Sequence, residues 1–147
     1  MADPGSPSLV SPSDGSRVVG NVIVFTFEVP TDSDNDILVF RIELDTNSSI
    51  DTESSDYMTA ESRHAEDQKT YGHWEVKDGS GNWIDMPTGG VGSTYYGRQA
   101  RVILRSQDTN VFPTRETSWY WRIGVGDGMS SAPVFNQVIF GQAIFGS

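Results

Sequence analysis

The chain has 147 residues, 36% hydrophobic, 20% charged and 11% aromatic, which is enough for one globular domain with a real core and too apolar for wholesale disorder. A formal net charge of −10 argues against nucleic-acid binding, which needs clustered Lys and Arg. The absence of Cys removes disulfides, thiol nucleophiles and Cys-based zinc sites, and no apolar run is long enough for membrane insertion.

Residues 1–8 are rich in Pro, Gly and Ser and read as a flexible N-terminal arm, without the basic region and apolar run of a signal peptide. The stretch "VIVFTFEV" then alternates, with Ile23, Phe25, Phe27 and Val29 on one face and Thr26 and Glu28 on the other, the period of a half-buried strand. "LVFRIEL" repeats the pattern: Leu38, Phe40, Ile42 and Leu44 inward, Val39, Arg41 and Glu43 outward. An acidic, Ser- and Thr-rich stretch at about 46–72 has little periodicity and reads as a loop insertion. "HWEVKDGSGNWIDMP" is a hairpin whose "DGSG" supplies the glycines of a tight turn. Further strands are expected at "ARVILR", "SWYWRIGV" and "VFNQVIF", and residues 142–147 are expected to form a C-terminal tail. Short strands, Gly/Asp turns and no amphipathic helix predict an all-β chain with a single antiparallel β-sandwich over residues 9–141.

The segments "SPSDGSRVVGNVIVFTFEVPTDSDNDILVFRIELDT" and "TSWYWRIGVGDGMSSAPVFNQVIF" resemble the first and last strands of fibronectin type III-like (immunoglobulin-like) modules of phage and bacterial surface proteins. The likeness covers about two-thirds of the chain. It departs from the family where Trp119 stands in place of the usual late tyrosine. The resemblance implies a binding, spacing or scaffolding module and assigns no activity.

Asp32, Asp34 and Asp36 occupy alternate positions of one loop. Hard cations take several carboxylate and carbonyl oxygens, so these residues are candidate Ca²⁺ ligands. The alternative is that they cap turns with their own side chains and remain solvated. An EF-hand that starts at Asp32 places Glu43 at the last ligand position but has Ile37 where Gly is required. In the topology that the resemblance implies, Asp127 shares a pole with this loop and joins the candidate set. His64 and His73 lie near no nucleophile context, and neither G-x-S-x-G nor H-E-x-x-H occurs, so no enzyme is expected. Asn47-Ser48-Ser49 fits a glycosylation acceptor. Trp83, Tyr95, Tyr96 and Phe112 are the candidate exposed aromatics for carbohydrate, whereas Trp74, Trp119 and Trp121 fall on core faces.

Outward alternation in the later strands groups Val39, Tyr120, Phe135 and Ile139 as an apolar patch, and the expected tail adds Ile144 and Phe145. Such a patch is a candidate partner-binding surface, whether for other subunits or for self-association. The tail folding back on its own domain is the alternative. These features lead to an expected function as a virion structural module, a capsid decoration or tail-associated protein, located in the virion. The runner-up is an extracellular or cell-surface spacer or carbohydrate-binding module of a bacterial protein.

Overall fold

The computed structural model describes residues 8–11, 16–18, 22–50, 52–53, 57–63, 73–105, 117–127 and 137–145; for β2 and β10 it describes the backbone. Among the described residues ten strands follow in chain order: β1 (Ser8–Ser11), β2 (Ser16–Val18), β3 (Val22–Glu28), β4 (Leu38–Asp45), β5 (Met58–Glu61), β6 (His73–Lys77), β7 (Trp83–Asp85), β8 (Gln99–Arg105), β9 (Thr117–Asp127) and β10 (Gln137–Phe145). They form two five-stranded sheets, ordered β1-β3-β8-β6-β7 and β2-β10-β9-β4-β5. This is an immunoglobulin-like β-sandwich. One pairing departs from the expected antiparallel plan: β2 runs parallel to β10, with Ser16, Arg17 and Val18 opposite Ala143, Ile144 and Phe145. The N-terminal segment therefore serves both sheets, β1 at the edge of one and β2 at the edge of the other.

The core lies where the period-two alternation puts it. Ile23, Phe25 and Phe27 of β3 meet Leu38, Phe40, Ile42 and Leu44 of β4, Trp74 and Val76 of β6, and Trp121, Ile123 and Val125 of β9. The aromatic rings cross the two layers edge-on, Phe25 to Trp121 at 5.2 Å and Phe27 to Phe40 at 5.0 Å between centroids. That arrangement matches ring edges to ring faces and adds to the gain from burial. The expected hairpin forms: Lys77 stands opposite Trp83, and the N–H of Gly81, at φ +83°, donates to the carbonyl of Asp78 at 3.1 Å.

Three boundaries differ from those read in the sequence. The segment 46–72 contains a strand, β5, which pairs with β4 and buries Met58 and Ala60. The sandwich does not stop at 141, because β10 stays paired with β9 as far as Phe145 opposite Thr117. The arm gives way to strand at Ser8, opposite Glu28.

Val39 is the clearest correction to the outer-face reading, at 2% exposure. Its strand neighbour Leu38 exchanges both backbone hydrogen bonds with Val91 at 2.9 Å, and this lays the 87–91 segment along the start of β4. Gly90 makes the approach possible. At φ +105°, a Cβ there would stand 2.5 Å from Ile37 Cγ2, 2.7 Å from the Leu38 carbonyl oxygen and 3.2 Å from Val39 Cγ1.

Candidate functional site

The acidic loop leaves β3 through Val29, whose N–H donates to the Arg98 carbonyl and whose carbonyl accepts from the Gly97 N–H, both at 2.9 Å. Beyond that clamp the chain turns sharply. The Asn35 N–H donates to the Asp32 carbonyl at 2.9 Å, and the Asp34 N–H donates to Asp32 Oδ1 at 2.9 Å. Asn35 takes φ 57°, a conformation that Asn tolerates better than most residues. The turn gathers Asp32, Asp34 and Asp36, each offering a carboxylate oxygen within 4.8 Å of the others. Asp127 ends β9 opposite Leu38, and its charge reaches Asp36. The Tyr96 hydroxyl donates to the Asp36 carbonyl and anchors the loop from the side.

This pole is crowded with like charge. Burial, then Asp127, Asp32 and Asp34, push the Asp36 carboxyl above its ordinary value. Burial, then Asp32, Asp36 and Asp127, likewise raise the Tyr96 phenol. Asp32 is only 4% exposed. Asp32 Oδ2 and Asp36 Oδ2 are shielded from solvent and meet no hydrogen-bond donor. Glu43, the last ligand of the rejected EF-hand pattern, lies elsewhere, on the outer face of the second sheet.

That outer face carries the opposite arrangement. Glu43 accepts from Arg122 Nε at 2.7 Å, from Arg122 Nη2 at 3.2 Å and from the Tyr57 hydroxyl at 2.5 Å. Glu61 accepts from Arg41 Nη2 and from Arg63 Nε, both at 2.6 Å. Burial alone would raise both carboxyls. Hydrogen bonds from Arg122 and Tyr57 outweigh it at Glu43, and those from Arg63 and Arg41 outweigh it at Glu61, so both lie below the ordinary value. Tyr57 is pushed up to about 12 by burial and by its bond to Glu43. The sequence reading missed this lattice. The outward alternation of Arg41 and Glu43 was visible, but Arg122 lies 79 residues from Glu43 and only strand adjacency brings them together.

On the other sheet, His73 Nε2 stands 3.0 Å from Asp85 Oδ1 and 3.3 Å from Glu75 Oε2, and Arg101 pairs with Glu75 at 2.6 Å. The Arg101 guanidinium lies 4.0 Å from the Trp83 ring centroid, and Lys77 Nζ lies 5.2 Å from it. Trp83 is half-buried with cations over its ring, and a sugar stacking on the face that Arg101 covers would have to displace it. Tyr95 and Tyr96 are half-buried and pack against the core. Phe112 lies outside the described residues.

The expected apolar patch loses one member. Val39 is buried and Tyr120 is half-buried. Phe135 lies outside the described residues. In the β9–β10 ladder Ile139 stands opposite core-facing Ile123, and Phe140 stands opposite Arg122. Ile144 and Phe145 occupy ladder positions opposite Ser118 and Thr117 rather than a tail.

No protein-family model matches the chain, and no curated protein does. Among solved structures, the chain is similar to the YadV chaperone at 11% identity and a TM-score of 0.38, covering 96% of this chain and 51% of that one. It is also similar to the periplasmic chaperone SfaE at 9% identity and a TM-score of 0.33, covering 96% and 56%. The chain spans about half the length of these structures.

Proposed function

We propose that this chain is a non-enzymatic binding module of fibronectin III type, a structural component of a virion that decorates the capsid or associates with the tail. The motif pattern supports the non-enzymatic part: neither G-x-S-x-G nor H-E-x-x-H occurs, and Glu43 and Glu61 are held ionised by arginines rather than raised toward the working pH of a general acid. Such groups rigidify a surface and leave little for proton transfer. The virion assignment is supported by the likeness of the first and last strands to modules that phages carry and by an acidic chain without Cys. The carbohydrate reading has less support, since Arg101 covers Trp83.

With a net charge of −10 and no contiguous apolar patch among the described residues, the partner surface is expected to be basic. Association with it should slow as salt rises. Immunogold labelling of virions with an antibody against the chain tests the reading. Regular decoration of particles supports it; label confined to the bacterial surface overturns it in favour of a cell-surface spacer.

A further inference from the structure

The acidic pole holds an electrostatic problem that the described side chains leave unsolved. Buried carboxylate oxygens in folded proteins nearly always accept hydrogen bonds. Asp32 is nine-tenths buried and more, its Oδ1 is taken by the Asp34 N–H, and its Oδ2 faces no donor. Asp36 Oδ2 is enclosed in the same way. Asp34 joins them from the same turn, and the charge of Asp127 at the end of β9 reaches Asp36. Among the described residues no Lys, Arg or His pairs with Asp32 or Asp36. Arginines stand against Glu43 and Glu61, whereas at the pole the chain's amino terminus exerts only the weakest pull on Asp36 and Asp32 Oδ2 stays without a donor, which leaves room for a cation from solution.

We infer that Asp32, Asp34 and Asp36, with Asp127 closing the site from β9, bind one Ca²⁺. The ligands are all hard oxygens. A calcium ion holds its oxygens at about 2.3–2.6 Å, which keeps ligand pairs within about 5 Å of one another. The three loop carboxylates already stand within 4.8 Å. Magnesium wants a tighter octahedron at about 2.0–2.1 Å and retains most of its water. The bound ion joins the loop after β3 to the end of β9, two segments otherwise linked here through the β4–β9 ladder. It also turns a mutually repelling cluster into a rigid corner.

The other candidate cluster, His73, Glu75 and Asp85, already has Arg101 on Glu75 and serves as the control. The experiment uses the purified chain, first stripped with chelator. Calorimetric titration with CaCl₂ should give a single site. The melting temperature should rise by roughly 5–10 °C at a hundredfold excess over Kd. Asp36→Asn should lose both responses, yet melt no lower than the parent in chelator, because it removes repulsion. That second readout separates loss of a ligand from loss of the fold. Asp127→Asn should weaken binding roughly tenfold or more. No heat and no thermal shift at millimolar Ca²⁺ overturns the site, as does an unchanged response in Asp36→Asn. A response abolished by Asp85→Asn moves the ion to β6–β7 and also overturns it. Mg²⁺ matching Ca²⁺ in both heat and shift overturns the calcium assignment. None of these outcomes depends on whether the chain belongs to a virion.

Discussion

The acidic pole and the outer face of the second sheet are made of the same chemical group and behave in opposite ways. At the pole, Asp36 is pushed up by burial and by three neighbouring aspartates. On the sheet, Glu43 is drawn down although it too is enclosed, because Arg122 and Tyr57 bond to it. The lesson is that enclosure alone does not set the charge state of a carboxyl. What decides it is whether the fold brings a donor or a cation to the same place. On the sheet, strand adjacency delivers that partner; at the pole, the turn delivers more carboxylates.

The strongest way to break this comparison is to take the partner away. Arg122→Met should cost about 2–3 kcal/mol, since removing one member of a buried pair strands the other, and the rim here is partly wet, with 10% of the Glu43 and 31% of the Arg122 side chain exposed. An unchanged urea midpoint in that variant would erase the distinction between the two regions.

Titration sharpens it next. The folded pKa of Glu43 is lowered, so its contribution to stability is full above the ordinary value of 4.5 and is lost as pH falls below it toward the folded value. Urea unfolding of the parent should weaken over that acid range, and Glu43→Gln should flatten the slope. Arg41→Ala should cost less, about 1 kcal/mol or below, because Arg63 remains on Glu61 and the Arg41 side chain is one-third exposed.

The smallest effect is at the pole and has the reverse sign. The folded pKa of Asp36 is raised from 3.8, so its ionised form works against folding above the folded pKa, and the penalty vanishes as pH falls through it. Asp36→Asn in chelator should therefore raise the melting temperature slightly at neutral pH and leave it unchanged in acid. A fall at neutral pH would contradict the repulsion.

Much of the sandwich was legible because alternation is a local signal. In β3, β4, β6 and β9 a large apolar residue recurs at every second position, and the buried set of Phe25, Phe40, Trp74, Trp121 and Ile123 follows from it. The register of β10 was not legible, since "VIF" places three apolar residues in a row and only pairing with β9 fixes it. Val39 was misread for a different reason. Its cover comes from residues 87–91, and that contact depends on the left-handed Gly90, which no window around Val39 contains. β5 was hidden by its brevity, four residues inside an acidic segment. Asp127 was placed near Asp36 through the topology that the resemblance implies, and the sequence distance between them offered no clue. The Glu43–Arg122 pair had no such guide.

The parallel pairing of β2 with β10 has a mechanical consequence. The chain enters this ladder at Ser16 and leaves it at Phe145, at opposite ends of three matched residue pairs. Tension applied along the polypeptide therefore pulls the two strands lengthwise in opposite directions, and the hydrogen bonds share the load at once. A hairpin pulled from its open end would instead surrender its bonds one at a time. Resistance to such tension is set by the rate of passing a single barrier rather than by overall stability. A sandwich built this way resists extension along the line joining Ser16 and Phe145.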